Sequence, residues 1–516
     1  MYQKEGYGSL TSRTVRLFAV AFPVVAYLFY AIAFFLWQGY PLPSVHDEFS
    51  YILAADTFSH LRFANPTPPA WQSFESIHIN MVPTYVSMYP PAQGLFLAIG
   101  QILTGHPWWG VVLSGALFLL AAGWAFRAWL PAPWAFAATL VTMCFLIGTY
   151  WTMSYWGGNV TALGGALVLG AVGYIRTRNQ VSDWVFWATG CSLLICARPY
   201  SGGILILLSV AKLIRVFLLR RRTEPQGSRS FIRAFSLGAI PTAALAIVWV
   251  AAYCQSTTGK PYIFPYFENI RQYQMRRAFH WQKNRTPPPY RHASMEKVYR
   301  GLLRKDIPLD EQYRGMADSF VNLYGGKRIL VAGLLFLPFA WGGAFRWVLL
   351  STAIGFAAIL CIPFIHPHYY AAYSAFLVLS WVQGVRSFFD RRLLGQTLSL
   401  VAVSLLAAVL LLQLARKPFR PLDTPAWASQ RDSLIRKLSS SGEKHLILVD
   451  YDATHNFHKE WVYNPADFAS APVLWARSWT PDKNAALAQA YPDRKLWVLH
   501  PDRSLELLPY NPEGNH

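Results

Sequence analysis

Asp47 and Glu48 stand side by side behind His46, shortly after a long apolar run from Leu17 to Trp37. A carboxylate kept ionised by its neighbours can take a proton from a hydroxyl as that hydroxyl attacks, so Asp47 is a candidate general base. It also suits a helix start: residues 48 to 62 read as a surface helix, whose dipole favours an anion at its N-terminus. Cys196-Ala197-Arg198-Pro199-Tyr200 places a cation at the junction of two apolar runs. Arg198 is either a bidentate anion ligand or an arginine snorkelling to an interface. His366-Pro367-His368-Tyr369-Tyr370 gathers imidazoles and phenols at the start of a further run, as a ligand set or an interfacial aromatic belt. Two histidines at that spacing, with no cysteine partner and with carboxylates far away in the chain, do not make a metal site. A divalent cation held by Asp47 and Glu48 is compatible with the sequence, which does not require one.

The elements that must carry these residues are membrane helices. Of 516 residues, 54% are hydrophobic and only 14% charged. The apolar residues fall in repeated runs of spanning length. Spans are expected at 17–37, 108–127, 132–150, 159–175, 183–197, 201–219, 234–254, 329–345, 347–363, 368–386 and 397–415. The first has no small-residue cleavage site and reads as an uncleaved anchor with its N-terminus in the cytoplasm. Gly94 to Leu103 is too short to cross and reads as interfacial or re-entrant.

With eleven spans, Arg127, Arg176, Arg178, Arg220, Arg221, Arg222, Arg229, Arg233, Arg346, Arg386, Arg391 and Arg392 fall in short cytoplasmic connections. The opposite short connections hold only Arg198. That asymmetry obeys the positive-inside rule and favours eleven spans over twelve. The net charge of +20 is thereby explained by helix ends, and nucleic-acid binding is not indicated. All five cysteines lie in or beside apolar runs, which excludes a disulfide framework.

The fold class is thus an all-α polytopic membrane protein with a small C-terminal α/β extramembrane module. Residues 1–415 form the transmembrane domain, with outer loops at 38–91 and 255–328, and 420–516 form the module. In the module, His445 to Asp450 and Lys495 to His500 read as two short buried strands. The 255–328 loop combines Arg271, Arg276, Arg277 and Lys283 with Tyr262, Tyr266 and Tyr273, and reads as a lid over the site that attracts anionic lipid, the alternative being a solvated basic loop. Every unusual polar motif falls on the outer face.

An Asp-Glu pair after the first span, a first outer loop running through Pro83-Thr84-Tyr85 to Tyr89-Pro90-Pro91, and the late His366–Tyr370 motif resemble the GT-C integral-membrane glycosyltransferases. The protein O-mannosyltransferases and the lipid A aminoarabinose transferases are the nearest likenesses. The resemblance implies a sugar passed from a polyprenyl phosphate to an acceptor hydroxyl on a lipid, glycan or protein. The active site would face the periplasm if the source is a bacterium, in its inner membrane among the membrane lipids. It implies Asp47 as the acceptor-activating residue, with Glu48 beside it. His46, Tyr85, Tyr155, Asn159, Arg198, His366, His368 and Tyr369 would bind substrate. Arg198 and His368 would face the phosphate. Tyr155 and Asn159 would meet the sugar, unless Tyr150-Trp151 and Tyr155-Trp156 are an ordinary aromatic girdle. Asn159-Val160-Thr161 matches a glycosylation acceptor by accident, since it sits at a helix mouth.

A transporter or lipid flippase would share the spans and aromatic belts, but such proteins place polar sites near the midplane. A non-catalytic assembly protein would use the C-terminal module to bind a partner.

Overall fold

The computed structural model describes residues 9–223, 225–303, 308–323, 333–363, 365–390 and 423–511. Among these, five helices are long and apolar enough to cross a membrane. They are Ser9–Gln38, Trp108–Arg127, Asn159–Thr177, Pro199–Thr223 and Pro225–Thr258. Shorter apolar helices are Ala92–Thr104, Ala132–Leu146, Val181–Ala197 and Phe345–Leu360. The expected span at 397–415 lies outside the described residues.

Elsewhere the expected boundaries shift. The run expected at 132–150 stops as a helix at Leu146, and a separate short turn, Tyr150–Met153, follows. The described part of 329–345 is no continuous helix: a 3₁₀ turn, Leu337–Ala340, interrupts it where Pro338 removes a donor. His366 to Tyr373 do not begin the last described membrane-side helix either. Pro367–Tyr373 is 3₁₀, and the α-helix starts at Ser374.

Asn159–Thr177 packs between Trp108–Arg127 and Val181–Ala197. Its small residues, Gly164, Gly165, Ala166, Gly170, Ala171 and Gly173, let neighbouring backbones come close. Gly165 is required by contact: a Cβ there would collide with the carbonyl of Ala372. This close approach sets the 3₁₀ turn that carries His368 against the mouth of the helix that starts at Asn159.

The first loop, the 255–328 segment and the C-terminal module pack into one layer. In the first loop, β1 (Ile79–Asn80) and β2 (Val86–Ser87) pair antiparallel. The C-terminal module is a four-stranded sheet of β3 (His445–Val449), β4 (Val473–Arg477), β5 (Lys495–His500) and β6 (Ser504–Pro509), in the order β4-β3-β5-β6. β3 runs parallel to both neighbours, and β6 is antiparallel to β5. Two strands were expected and four form. β3 is fully buried, as its unbroken apolar run requires in a parallel setting. β5 is only partly covered, because its neighbour β6 is a largely exposed edge. Leu446, Ile447, Trp461 and Trp475 share a single apolar core with Phe49, Leu53, Phe74, Ile79 and Tyr85 of the first loop.

The 255–328 segment contributes the helices Pro265–Tyr273, Ala293–Gly301 and Leu309–Leu323. It is tied to the other two segments by a polar knot. Arg477, 1% exposed, meets the Glu460 carboxylate at 2.7 Å and donates to the Glu75 carbonyl and the Ser294 hydroxyl at 2.8 Å each. The Glu75 carboxylate accepts from Tyr273 and Arg291, both at 2.9 Å. Removing one partner of such a pair leaves a buried charge uncompensated, so Arg477→Ala is expected to cost about 3–5 kcal/mol. Thermal unfolding of the detergent-purified protein measures this; an unchanged Tm would show that the knot does not hold the layer.

Candidate functional site

The site begins at the N-terminus of the His46–Ser59 helix, where the chain turns in from extended Val45. The first amides of a helix have no intrahelical acceptor, and Glu48 reaches back to two donors just ahead of it, Ser44 N at 2.8 Å and Val45 N at 3.1 Å. Its other oxygen accepts from Tyr155 N at 3.1 Å. Burial pushes the Glu48 carboxyl up to about 7, and these three amide donors oppose that shift. With three donors aimed at its oxygens, the carboxylate form fits the geometry. The helix is not the surface helix expected from residues 48–62: most of it is buried, because the Ala92–Thr104 helix packs along it and the C-terminal module covers the face of Phe49 and Leu53.

Asp47 points away from these braces. Its Oδ1 accepts from the Tyr89 hydroxyl, and His78 Nδ1 lies 3.9 Å from the same oxygen. His78 Nδ1 is also 3.1 Å from the Tyr89 oxygen. With the phenol proton committed to Asp47, that contact calls for His78 to carry its proton on Nδ1. Burial alone would raise the Asp47 carboxyl, but His78, the Tyr89 hydrogen bond, His366 and His46 outweigh it and hold it below its ordinary 3.8. Among the described residues no hydrogen bond engages Oδ2. The side chain is 22% exposed. An ionised carboxylate with one oxygen anchored and one open can accept a proton.

Across from it stands Arg198, at the corner where Val181–Ala197 ends and Pro199 opens the next helix. Its guanidinium lies over the Tyr369 ring, 4.5 Å from the centroid. It is within electrostatic reach of Asp47, Tyr51 and Tyr89. No hydrogen bond joins it to any described residue. Tyr51 stacks on Tyr89 with centroids 4.4 Å apart and is within electrostatic reach of both Arg198 and Asp47. His366 and His368 stack at 5.4 Å, with Trp156 against both rings and Tyr150 Oη 3.0 Å from His368 Nδ1.

Asp47, Arg198, His366, His368 and Tyr369 therefore meet, although they come from three separate stretches of chain. His46 is near but turned aside, its Nδ1 2.8 Å from the Tyr463 hydroxyl. The other expected ligands have structural partners. Tyr85 donates to the Asn464 carbonyl at 2.7 Å, and Tyr155 to the Pro41 carbonyl at 2.8 Å. Asn159 donates to the Trp151 carbonyl at 2.9 Å, while its buried Oδ1 has no partner among the described residues. Sequence reasoning did not assign roles to Tyr89, His78 or Tyr51. The i, i+4 spacing of Asp47 and Tyr51 on one helix was the available signal for the last. Arg276 and Tyr266 also lie within electrostatic reach of this site, of His78 and Arg198 respectively. Among the described residues no group of three or more His, Cys, Asp or Glu could hold a metal ion.

No protein-family model and no curated protein sequence matches the chain. Among solved structures it is similar to the oligosaccharyltransferase of Archaeoglobus fulgidus in the apo form, with 12% identity, 88% of this chain and 65% of that one covered, and a TM-score of 0.49. The chain thus spans just under two thirds of that enzyme's length. It is also similar to ArnT of Cupriavidus metallidurans bound to undecaprenyl phosphate, with 13% identity, 94% and 93% coverage, and a TM-score of 0.48.

Burial, reinforced by neighbouring His78, pushes His46 down to about 3 from its ordinary 6.5. The unfolded chain therefore binds a proton here between those values and the folded protein does not. Stability is expected to fall as pH drops from 6.5 towards 3, by about 1.4 kcal/mol per pH unit from this ring. Denaturant unfolding of His46→Gln should show a shallower slope than the parent; identical slopes would refute the assignment.

Proposed function

We propose that the chain is a GT-C-type membrane glycosyltransferase that moves a sugar from a polyprenyl phosphate to an acceptor hydroxyl, with Asp47 as general base. One observation carries the reading: Asp47, with one oxygen that accepts no hydrogen bond among the described residues, shares one mouth with Arg198, whose guanidinium donates to none of them. Oδ2 of Asp47 takes the acceptor's proton as its oxygen attacks the anomeric carbon. The bond from that carbon to the phosphate oxygen breaks, and the lipid phosphate departs with the electron pair. Arg198 meets the charge it gains. Direct displacement inverts the anomeric centre. The phosphate leaves ionised, so the reaction needs less of a general acid than glycoside hydrolysis.

In this reading Tyr89 and His78 hold Asp47 in position, Glu48 braces the backbone beneath it, and His366, His368, Trp156 and Tyr369 shape the sugar and phosphate side. The 255–328 segment covers the mouth through Tyr266 and Arg276. Residues 1–415 cross the membrane eleven times and 420–516 stand outside it. The site faces the extracytoplasmic side, which in a bacterium is the periplasmic face of the inner membrane. The Arg asymmetry of the short connections supports that orientation. A transporter would place its polar groups at mid-depth; the groups assembled here adjoin extramembrane loops.

Asp47→Asn keeps the shape and removes the base, so transfer from the native membrane's lipid extract is expected to fall by about 10²–10⁴-fold at unchanged protein abundance. Near-normal transfer by Asp47→Asn excludes the base. Arg198→Ala is expected to lose about 10²–10³-fold, checked in the same assay; a loss below tenfold removes Arg198 from the phosphate. Since Asp47 is held below 3.8 in the free protein, the acid limb of kcat/KM is expected to lie below that pH. A limb centred at 5 or higher would assign the rate to another group.

A further inference from the structure

The segment 460–466 of the C-terminal module lies against the helix that carries Asp47. The Tyr463 ring stacks face to face on Phe49, with centroids 4.1 Å apart and planes within 2°. Its hydroxyl is 2.8 Å from His46 Nδ1, and both residues are buried. Arg431 fixes the segment from behind, donating to the carbonyls of Trp461 at 3.0 Å and Tyr463 at 2.7 Å. The same guanidinium lies 5.1 Å from the Phe49 ring centroid. Further along, Ala466 N donates to Asp56 Oδ2 at 2.6 Å, and the Asn464 carbonyl accepts from Tyr85. These contacts grip the helix at positions 46, 49 and 56, on either side of the catalytic candidate in sequence.

We propose that Tyr463 is a positioning residue for the transfer reaction: through His46 and Phe49 it sets the angle of the helix N-terminus, and with it the free oxygen of Asp47. The module is then a working part of the site. This rests on the functional reading above for the role of Asp47, while the contact itself stands independently. The hydroxyl and the ring have separable duties. The stack holds the helix in place, and the hydroxyl fixes the orientation and proton position of the His46 ring beside Asp47.

Tyr463→Phe separates them, since it keeps the stack and deletes the hydroxyl. In the full-length protein with histidine-selective ¹³C and ¹⁵N labels, the His46 ring signals are expected to change tautomer ratio. Amide exchange should rise at residues 46–50 and stay unchanged in β3 and β4. With the native membrane's lipid extract as donor, kcat is expected to fall about tenfold with donor KM unchanged. The losses from Tyr463→Phe and His46→Phe should be strongly non-additive. Unchanged His46 signals and exchange in Tyr463→Phe, additive losses in the double variant, or kcat and KM moving together with a lowered Tm would each overturn the proposal. Transfer surviving in Asp47→Asn would instead overturn the functional reading and leave the strut standing on its spectroscopic result.

Discussion

Burying the Arg477–Glu460 pair is costly unless its remaining donors and acceptors find partners, and in this protein that requirement ties the first loop, the 255–328 segment and the C-terminal module together. Arg477 comes from the C-terminal sheet, Glu75 from the first loop and Ser294 from the 255–328 segment. Glu460 neutralises the guanidinium, and the Tyr451 hydroxyl and Val462 N complete the carboxylate's shell at 2.5 and 2.9 Å. Burial works against ionised Glu460, but Arg477 and these donors hold its carboxyl below the usual range. An arginine so enclosed is costly unless all three segments are present at once. Their mutual placement is therefore cooperative, and the aspartate's surroundings inherit it.

The same accounting separates structural charges from reactive ones. Glu48, Glu75, Glu460, Arg431 and Arg477 are occupied by backbone amides, carbonyls or an opposite charge. Asp47 and Arg198 differ, since one oxygen of the first and the whole guanidinium of the second have no hydrogen-bonding partner among the described residues. Asp47 sits in the first turn of the His46–Ser59 helix, and Arg198 at the corner between two apolar helices. In the proposed reaction these are the groups that meet acceptor and phosphate.

Residues whose chemistry is local were legible in the sequence. Asp47 beside Glu48, Arg198 before a helix-starting proline, and the His366–Tyr370 run stand out without any knowledge of packing. The apolar run of β3 and the length of the central helices were equally plain. What stayed hidden depends on distant partners. Tyr463 meets His46 across 417 positions, and nothing in either neighbourhood announces the pairing. Tyr85 and Tyr155 carry the same phenol as Tyr89, yet two of the three bind backbone carbonyls and one binds the carboxylate. Residue type could not divide them. The neighbours Asp47 and Glu48 were also indistinguishable by type. Helical geometry turned one back onto the preceding amides and the other toward the opening.

The proposed reaction requires a lipid phosphate and a proton-accepting aspartate to meet at one mouth. A cryo-electron microscopy map of the full-length protein with undecaprenyl phosphate added tests it most directly. The phosphate is predicted to sit against the Arg198 guanidinium, on the same side as the open oxygen of Asp47 and bordered by His368 and Tyr369. Phosphate density bound elsewhere on the protein, with Arg198 still unoccupied, would contradict it.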